Sequence, residues 1–155
     1  MAQQVWFLRH GEAEPHDARP DPERRLTPRG EEQSRAAGSA LARLELPFHA
    51  VFASPKVRAW DTATLACAAL GLEPISHDAL GDGFDADEAM TLASGDPDNR
   101  VLLIGHNPTF EQVIYDLTGA RVELRKGAIA GVRLRGSRGE LMALLQPREL
   151  ALLAG

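Results

Sequence analysis

Three four-residue runs without a polar interruption set the limits on what this chain can fold into. Val5-Trp6-Phe7-Leu8, Ala50-Val51-Phe52-Ala53 and Val101-Leu102-Leu103-Ile104 are too short for helices. A strand that is apolar at every position is buried on both faces, which is the situation of a parallel sheet covered by helices on either side. Helix starts fall between these runs. Thr27-Pro28 pairs an N-capping hydroxyl with a proline at the first helical position, and Ala36, Ala37, Ala40, Leu41 and Leu44 follow at helical spacing until Pro47. Ser54-Pro55 and Asn107-Pro108 repeat that cap signal, and the helix from Ser54 runs to about Leu70 with Gly71 as its C′ residue. Pro74-Ile75-Ser76 reads as a short strand, and a helix spans about Asp85 to Ala93. After Gly119 the pattern changes: Ala128 to Leu134 and Leu141 to Leu145 read as strands joined through the hairpin turn Gly136 to Gly139. The tail from Arg148 to Gly155 is helical or frayed. Glu12 to Arg25, with Pro15, Pro20 and Pro22, is a loop. The expectation is an α/β fold, a three-layer αβα sandwich on a mostly parallel sheet with an antiparallel edge.

At 155 residues the chain reads as one domain, 1–155, large enough to bury a core without staples. No apolar run approaches the length of a membrane span, and no basic stretch precedes the first apolar run as in a secretory signal, so the chain reads as cytoplasmic. A net charge of −5 argues against a nucleic-acid partner, and the single Cys67 excludes an intrachain disulfide.

In open α/β sheets ligands sit beyond the carboxyl ends of the strands. Those ends carry Arg9-His10-Gly11, Ser54-Pro55 with Arg58 one turn further, and Gly105-His106-Asn107. Two guanidinium groups can neutralise and orient a phosphoryl group through charge-assisted hydrogen bonds, and helix N-termini after Ser54 and Asn107 would add N–H donors. A neutral imidazole among them can attack phosphorus, splitting the transfer into two steps. A second imidazole, if protonated, would stabilise the equatorial oxygens. Such a cluster needs no metal, because its cations supply the charge that Mg²⁺ would.

The motifs together resemble the histidine phosphatase superfamily, also called phosphoglycerate mutase-like. Leu8-Arg9-His10-Gly11-Glu12 is similar to its signature, and Leu26-Thr27-Pro28-Arg29-Gly30 to its L-T-x-x-G helix start. Ser54-Pro55 with Arg58-Ala59-Trp60-Asp61-Thr62-Ala63 resembles its S-P-x-x-R-A-x-x-T-A block, and Gly105-His106-Asn107-Pro108 its second-histidine motif. The short length and the G-H-N-P form are most similar to the SixA group of small phosphohistidine phosphatases. The resemblance implies His10 as the nucleophile and Arg9, Arg58 and His106 as the phosphate pocket. It adds Gly11 and Asn107 as further phosphate contacts and Arg24, rather than Arg25, as a substrate-side arginine. Asn107 reads first as a helix cap.

The chain departs from the family pattern at two points. Asp61 stands where the family usually has Gln, and a carboxylate unwelcome beside phosphate is expected to point away. The proton donor, a Glu in larger relatives, has Asp82 in Leu80-Gly81-Asp82 as its nearest match, with Asp85 as the alternative. An alkoxide leaving group needs a strong general acid, whereas an imidazole can leave already protonated. The short connection between Ala69 and Val101 leaves no room for a large helical cap over the site. The expected activity is a cofactor-free phosphohistidine phosphatase acting on a phosphorylated protein such as a histidine phosphotransfer domain. The alternatives are a small-molecule phosphate monoesterase of the same fold and a catalytically silent phospho-ligand binding protein. His10-x-Glu12 with His16 is a poor zinc site beside Arg9 and Arg58. Cys67, on a helix rich in Ala and Leu, reads as a core residue.

Overall fold

The computed structural model describes residues 2–155. Its six strands are β1 (Gln4–Arg9), β2 (Ala50–Ala53), β3 (Pro74–Ser76), β4 (Arg100–Gly105), β5 (Ile129–Arg135) and β6 (Arg138–Leu145). Its helices are α1 (Pro28–Arg43), α2 (Val57–Leu70), α3 (Ala86–Ala93), α4 (Thr109–Thr118) and α5 (Pro147–Ala154). The strands form one sheet in the order β3-β2-β4-β1-β5-β6. The first four are mutually parallel, and β5 runs antiparallel to β1 and to β6. The layers follow from alternation along β1 and β4. Val5, Phe7, Val101 and Leu103 pack with Phe110, Ile114 and Leu117 of α4 and Ala89 of α3. Trp6, Leu8, Leu102 and Ile104 pack with Leu41 of α1, Ala63 and Ala66 of α2, and Leu150 of α5. The fold is the three-layer α/β sandwich of the phosphoglycerate mutase-like kind, with the antiparallel edge that the last hairpin supplies.

The sheet register sets the site. Arg9 pairs with Gly105 and Ile104 pairs with Ala53, so His10, His106 and Ser54 leave three adjacent strands at one level. The His10 amide donates to the Gly105 carbonyl at 3.1 Å, and the Ser54 amide to Ile104 O at 3.0 Å. Between β3 and β4 lie only the turn Asp78–Leu80 and the two-turn α3, and no large cap stands over these ends.

Thr27 caps α1 as expected, its Oγ1 accepting from the Gly30 amide at 3.1 Å. The other two cap expectations are corrected. α2 begins at Val57 behind Lys56, and α4 at Thr109 behind Pro108. Both Ser54 and Asn107 have other hydrogen-bond partners, described below. α1 ends at Arg43, before Pro47 breaks it. The tail is a formed helix with a capping box between Gln146 and Glu149. No helix of the described residues is long and apolar enough to cross a membrane.

Candidate active site

His10 is 7% exposed and its Nδ1 lies 2.7 Å from the Gly11 carbonyl. A carbonyl only accepts, so Nδ1 carries the proton and Nε2 keeps its lone pair. Burial holds the imidazole at about 3, well below the ordinary 6.5; His106, Arg58 and Arg9 push the same way and the bond to Gly11 opposes them. The ring is therefore neutral, with one free nitrogen, and its centroid is 5.2 Å from that of His106.

His106 places Nε2 2.8 Å from Ser54 Oγ, and that hydroxyl also accepts from the Lys56 amide at 3.2 Å. The other ring nitrogen, Nδ1, is buried without a protein partner. A Ser54 hydroxyl donating to Nε2 leaves Nδ1 as an unengaged N–H donor. Burial, then Arg58 and Lys56, keep this imidazole at about 3. The condition set in the sequence reading, that the second imidazole be protonated, is not met here: burial, and then the two guanidinium groups and the lysine nearby, favour a neutral donor.

Arg58, also buried, bonds the Asp21 carbonyl through Nη1 at 2.8 Å and its carboxylate through Nη2 at 3.3 Å. Asp21 is a hub. Its carboxylate takes Nε and Nη2 of Arg24 at 3.1 and 2.9 Å and has Lys56 Nζ at 3.6 Å. Desolvation works to raise the Asp21 carboxyl, but bonds and charge from Arg24 and Arg58 hold it down at about 2. Arg9 donates from Nη1 to the Leu124 carbonyl at 2.9 Å. Burial works against its charge and Glu111 opposes that. The Nε atoms of Arg9 and Arg58 are buried without a protein partner.

Three residues expected among the phosphate contacts use their donors inside the protein. The Gly11 amide donates to Thr62 Oγ1 at 3.1 Å. Gly11 is needed for close approach, since a Cβ there would stand 2.5 Å from the Gly30 carbonyl. Every guanidinium nitrogen of Arg24 is engaged, by Asp21 and by the Glu14 carbonyl at 2.7 Å. Arg24, not the exposed Arg25, reaches the cluster, and it does so by holding Asp21. Asn107 gives its amide protons to Glu111 Oε2 at 2.8 Å and to the Leu124 carbonyl at 2.9 Å.

Asp82 is exposed and lines a hollow of about 200 Å³ together with Lys56, Arg58 and His106. Asp85, the alternative, does not line that hollow, and its Oδ1 caps α3 by accepting from the Glu88 amide at 2.9 Å. Asp61 stays outside that hollow; burial and then Glu31 raise its carboxyl. Cys67 is buried, and burial pushes its thiol up to about 11. Among the described residues no three His, Cys, Asp or Glu side chains gather into a metal site.

Sequence reasoning missed Asp21, Lys56 and Glu111. Asp21 stands three residues before Arg24 and Glu111 four after Asn107, spacings that signal a contact only once the loops are placed.

The model of the histidine phosphatase superfamily (branch 1) matches residues 5–94, more than half of the chain. The chain belongs to the histidine phosphatase superfamily. Within it the likeness is to SixA. The structure of the protein histidine phosphatase SixA complexed with tungstate superposes with a TM-score of 0.85 at 26% identity, covering 95% of this chain and 99% of that one. A candidate phosphohistidine phosphatase, SixA, from Nakamurella multipartitia gives 0.75 at 26% identity over 95% and 97%. A phosphoserine phosphatase of Entamoeba histolytica shares the fold at 14% identity, with a TM-score of 0.78 over 95% and 98%. An uncharacterized protein of Picosynechococcus is 30% identical over 95% of this chain and 98% of its own length.

Proposed function

We propose that this histidine phosphatase works through a phosphohistidine on His10 and removes phosphate from phosphohistidine carried by a protein. The observation that carries the mechanism is the Nδ1 bond of His10 to the Gly11 carbonyl, which leaves a neutral Nε2 as nucleophile among buried cations. Nε2 attacks phosphorus and the bond from phosphorus to the substrate nitrogen breaks; the substrate imidazole, already protonated at its other ring nitrogen, leaves neutral, while His10 keeps its Nδ1 proton on the Gly11 carbonyl. Water then attacks phospho-His10 and inorganic phosphate departs. Arg9, Arg58 and the N–H of His106 meet the charge on the phosphoryl oxygens, where donors fixed in advance are worth most. That set supplies the stabilisation a metal ion provides in other phosphoryl transfers. Asn107, Gly11 and Arg24 act by holding these groups.

Two features support the nitrogen–phosphorus substrate. The acid in the hollow is a short, exposed Asp82 rather than a buried Glu, and no large cap narrows the approach of a protein side chain. The position of Asp82 beside Arg58 and His106 also favours a second reading, a phosphate monoesterase in which Asp82 protonates an alkoxide. Wild type and His10→Ala are compared, without added metal, on a phosphohistidine-bearing protein and on an aryl phosphate. Wild type is expected to clear the phosphohistidine faster, and His10→Ala neither. Turnover of the ester alone moves the substrate to small metabolites. A His10→Ala variant equal to wild type on both overturns the mechanism.

A further inference from the structure

Arg9 faces a second and larger space. A cleft of about 880 Å³ runs from it between the start of α1, the segment before β5 and the start of α5. That is at the upper end of small-molecule pockets and far more than a phosphoryl group requires. Arg29, Arg125, Lys126 and Arg148 line it with Arg9, although the chain as a whole carries −5. Arg29, Lys126 and Arg148 form no ion pair among the described residues. Against these five cations stand three glutamates, Glu12, Glu32 and Glu123; Glu12 accepts from Thr27 Oγ1 at 2.9 Å and Glu123 pairs with Arg125 at 3.4 Å. The backbone that carries two of these cations is tied to the strand of the nucleophile and to α5. The Gly127 amide, next to Lys126, donates to the carbonyls of Arg9 and His10, each at 3.0 Å. The Arg125 amide is held by Gln146 Oε1 at 3.2 Å, within the box that caps α5 beside Arg148.

We infer that this cleft docks an acidic polypeptide segment next to the phosphorylated histidine of the substrate. The inference rests on the phosphohistidine reading above. A segment carrying Asp or Glu within a few residues of its phosphohistidine would set the phosphoryl group against Arg9 and lay its carboxylates along Arg29, Lys126 and Arg148. Rim charges of this kind act on encounter and binding rather than on the chemical step. The interleaved carboxylates suit a polypeptide better than the uniform charge of a nucleic-acid backbone.

The test uses two synthetic peptides, each with one histidine phosphorylated by phosphoramidate, flanked in one by Glu and in the other by Gln. Wild type and the double variant Arg29→Glu/Arg148→Glu are compared on both peptides and on an aryl phosphate. Wild type should have the lower KM for the Glu-flanked peptide. In the double variant that KM should rise roughly tenfold with kcat unchanged, as expected for several exposed charge contacts removed or reversed together. The aryl phosphate rate should hold, and Arg29→Gln/Arg148→Gln should fall between. If the charge-reversed pair loses the aryl activity through misfolding, the Gln pair carries the comparison. The cleft proposal is overturned if wild type shows no preference between the peptides, or if the preference survives in both variants. Wild type that hydrolyses the aryl ester but neither peptide sinks the phosphohistidine reading itself, a different signature.

Discussion

Replacing Asp21 by Asn would leave Arg24, Arg58 and Lys56 gathered around a neutral amide. Asp21 is the one carboxylate that bonds both arginines and has Lys56 within ion-pair range, so its charge sets where the Arg58 guanidinium stands. Asp21→Asn is expected to lower kcat/KM on an aryl phosphate about tenfold, the effect of ~1.4 kcal/mol. An unchanged steady-state rate would show that the Asp21 backbone carbonyl alone holds Arg58. The two imidazoles give a second prediction. Both sit at about 3, so their ring protons in an NMR titration should keep neutral-imidazole shifts from neutral pH down to about pH 5. A transition near 6.5 at either ring would contradict the neutral pair. Arg9, His10, Arg58 and His106 were legible in the sequence because they follow strand ends or stand one helical turn beyond. Asp21 was not, because it lies in a proline-rich loop whose path no periodicity describes.

Among the elements, α1 and α4 hold the site most closely. The first turn of α1 presses on the chain just after the nucleophile: a Cβ on Gly30 would stand 2.0 Å from the Glu12 carbonyl. Backbone cannot yield as a flexible side chain can, so Gly30→Ala should destabilise by about 3 kcal/mol, the upper part of the overpacking range. Urea denaturation measures it; a loss under ~1 kcal/mol would mean that α1 shifts freely. On α4, Glu111 Oε2 accepts from Asn107 Nδ2 and from the Leu124 amide, both at 2.8 Å. Leu124 O in turn takes Arg9 and Asn107. Glu111 is therefore a positioning residue for Arg9. Glu111→Gln should raise the inhibition constant for inorganic phosphate roughly fivefold while leaving most of the thermal stability, since the amide oxygen has two lone pairs for the same two donors and only the charge is lost. Helix positions were legible and two helix starts were not. Ser-Pro and Asn-Pro are cap signals only when the side chain has no better partner, and here His106 and Glu111 are those partners.

For the molecule as a whole, two neutral buried imidazoles make stability depend on acid. Below about 6.5 an unfolded histidine takes up a proton that the folded His10 and His106 refuse until about 3. The unfolded state binds more protons in that window, so stability is fully present above 6.5 and falls as pH drops through it. Asp21 adds its own loss only lower, between its ordinary 3.8 and about 2. Thermal melts at neutral pH and near pH 5 should show a larger drop for wild type than for His106→Asn, which has no such group at that position. Equal drops would place the loss elsewhere.

The sequence by itself determined the layer architecture and the four groups at the strand ends, because apolar runs and strand termini are local features with local physical causes. Only the tertiary structure decided which nitrogen of each histidine is free, that Asp21 gathers three cations, and that Arg9 borders a cationic cleft. Those depend on register and surroundings: the sheet sets His10 beside His106, removal from water keeps both rings neutral, and bonds and charge from Arg24 and Arg58 keep the exposed Asp21 an anion.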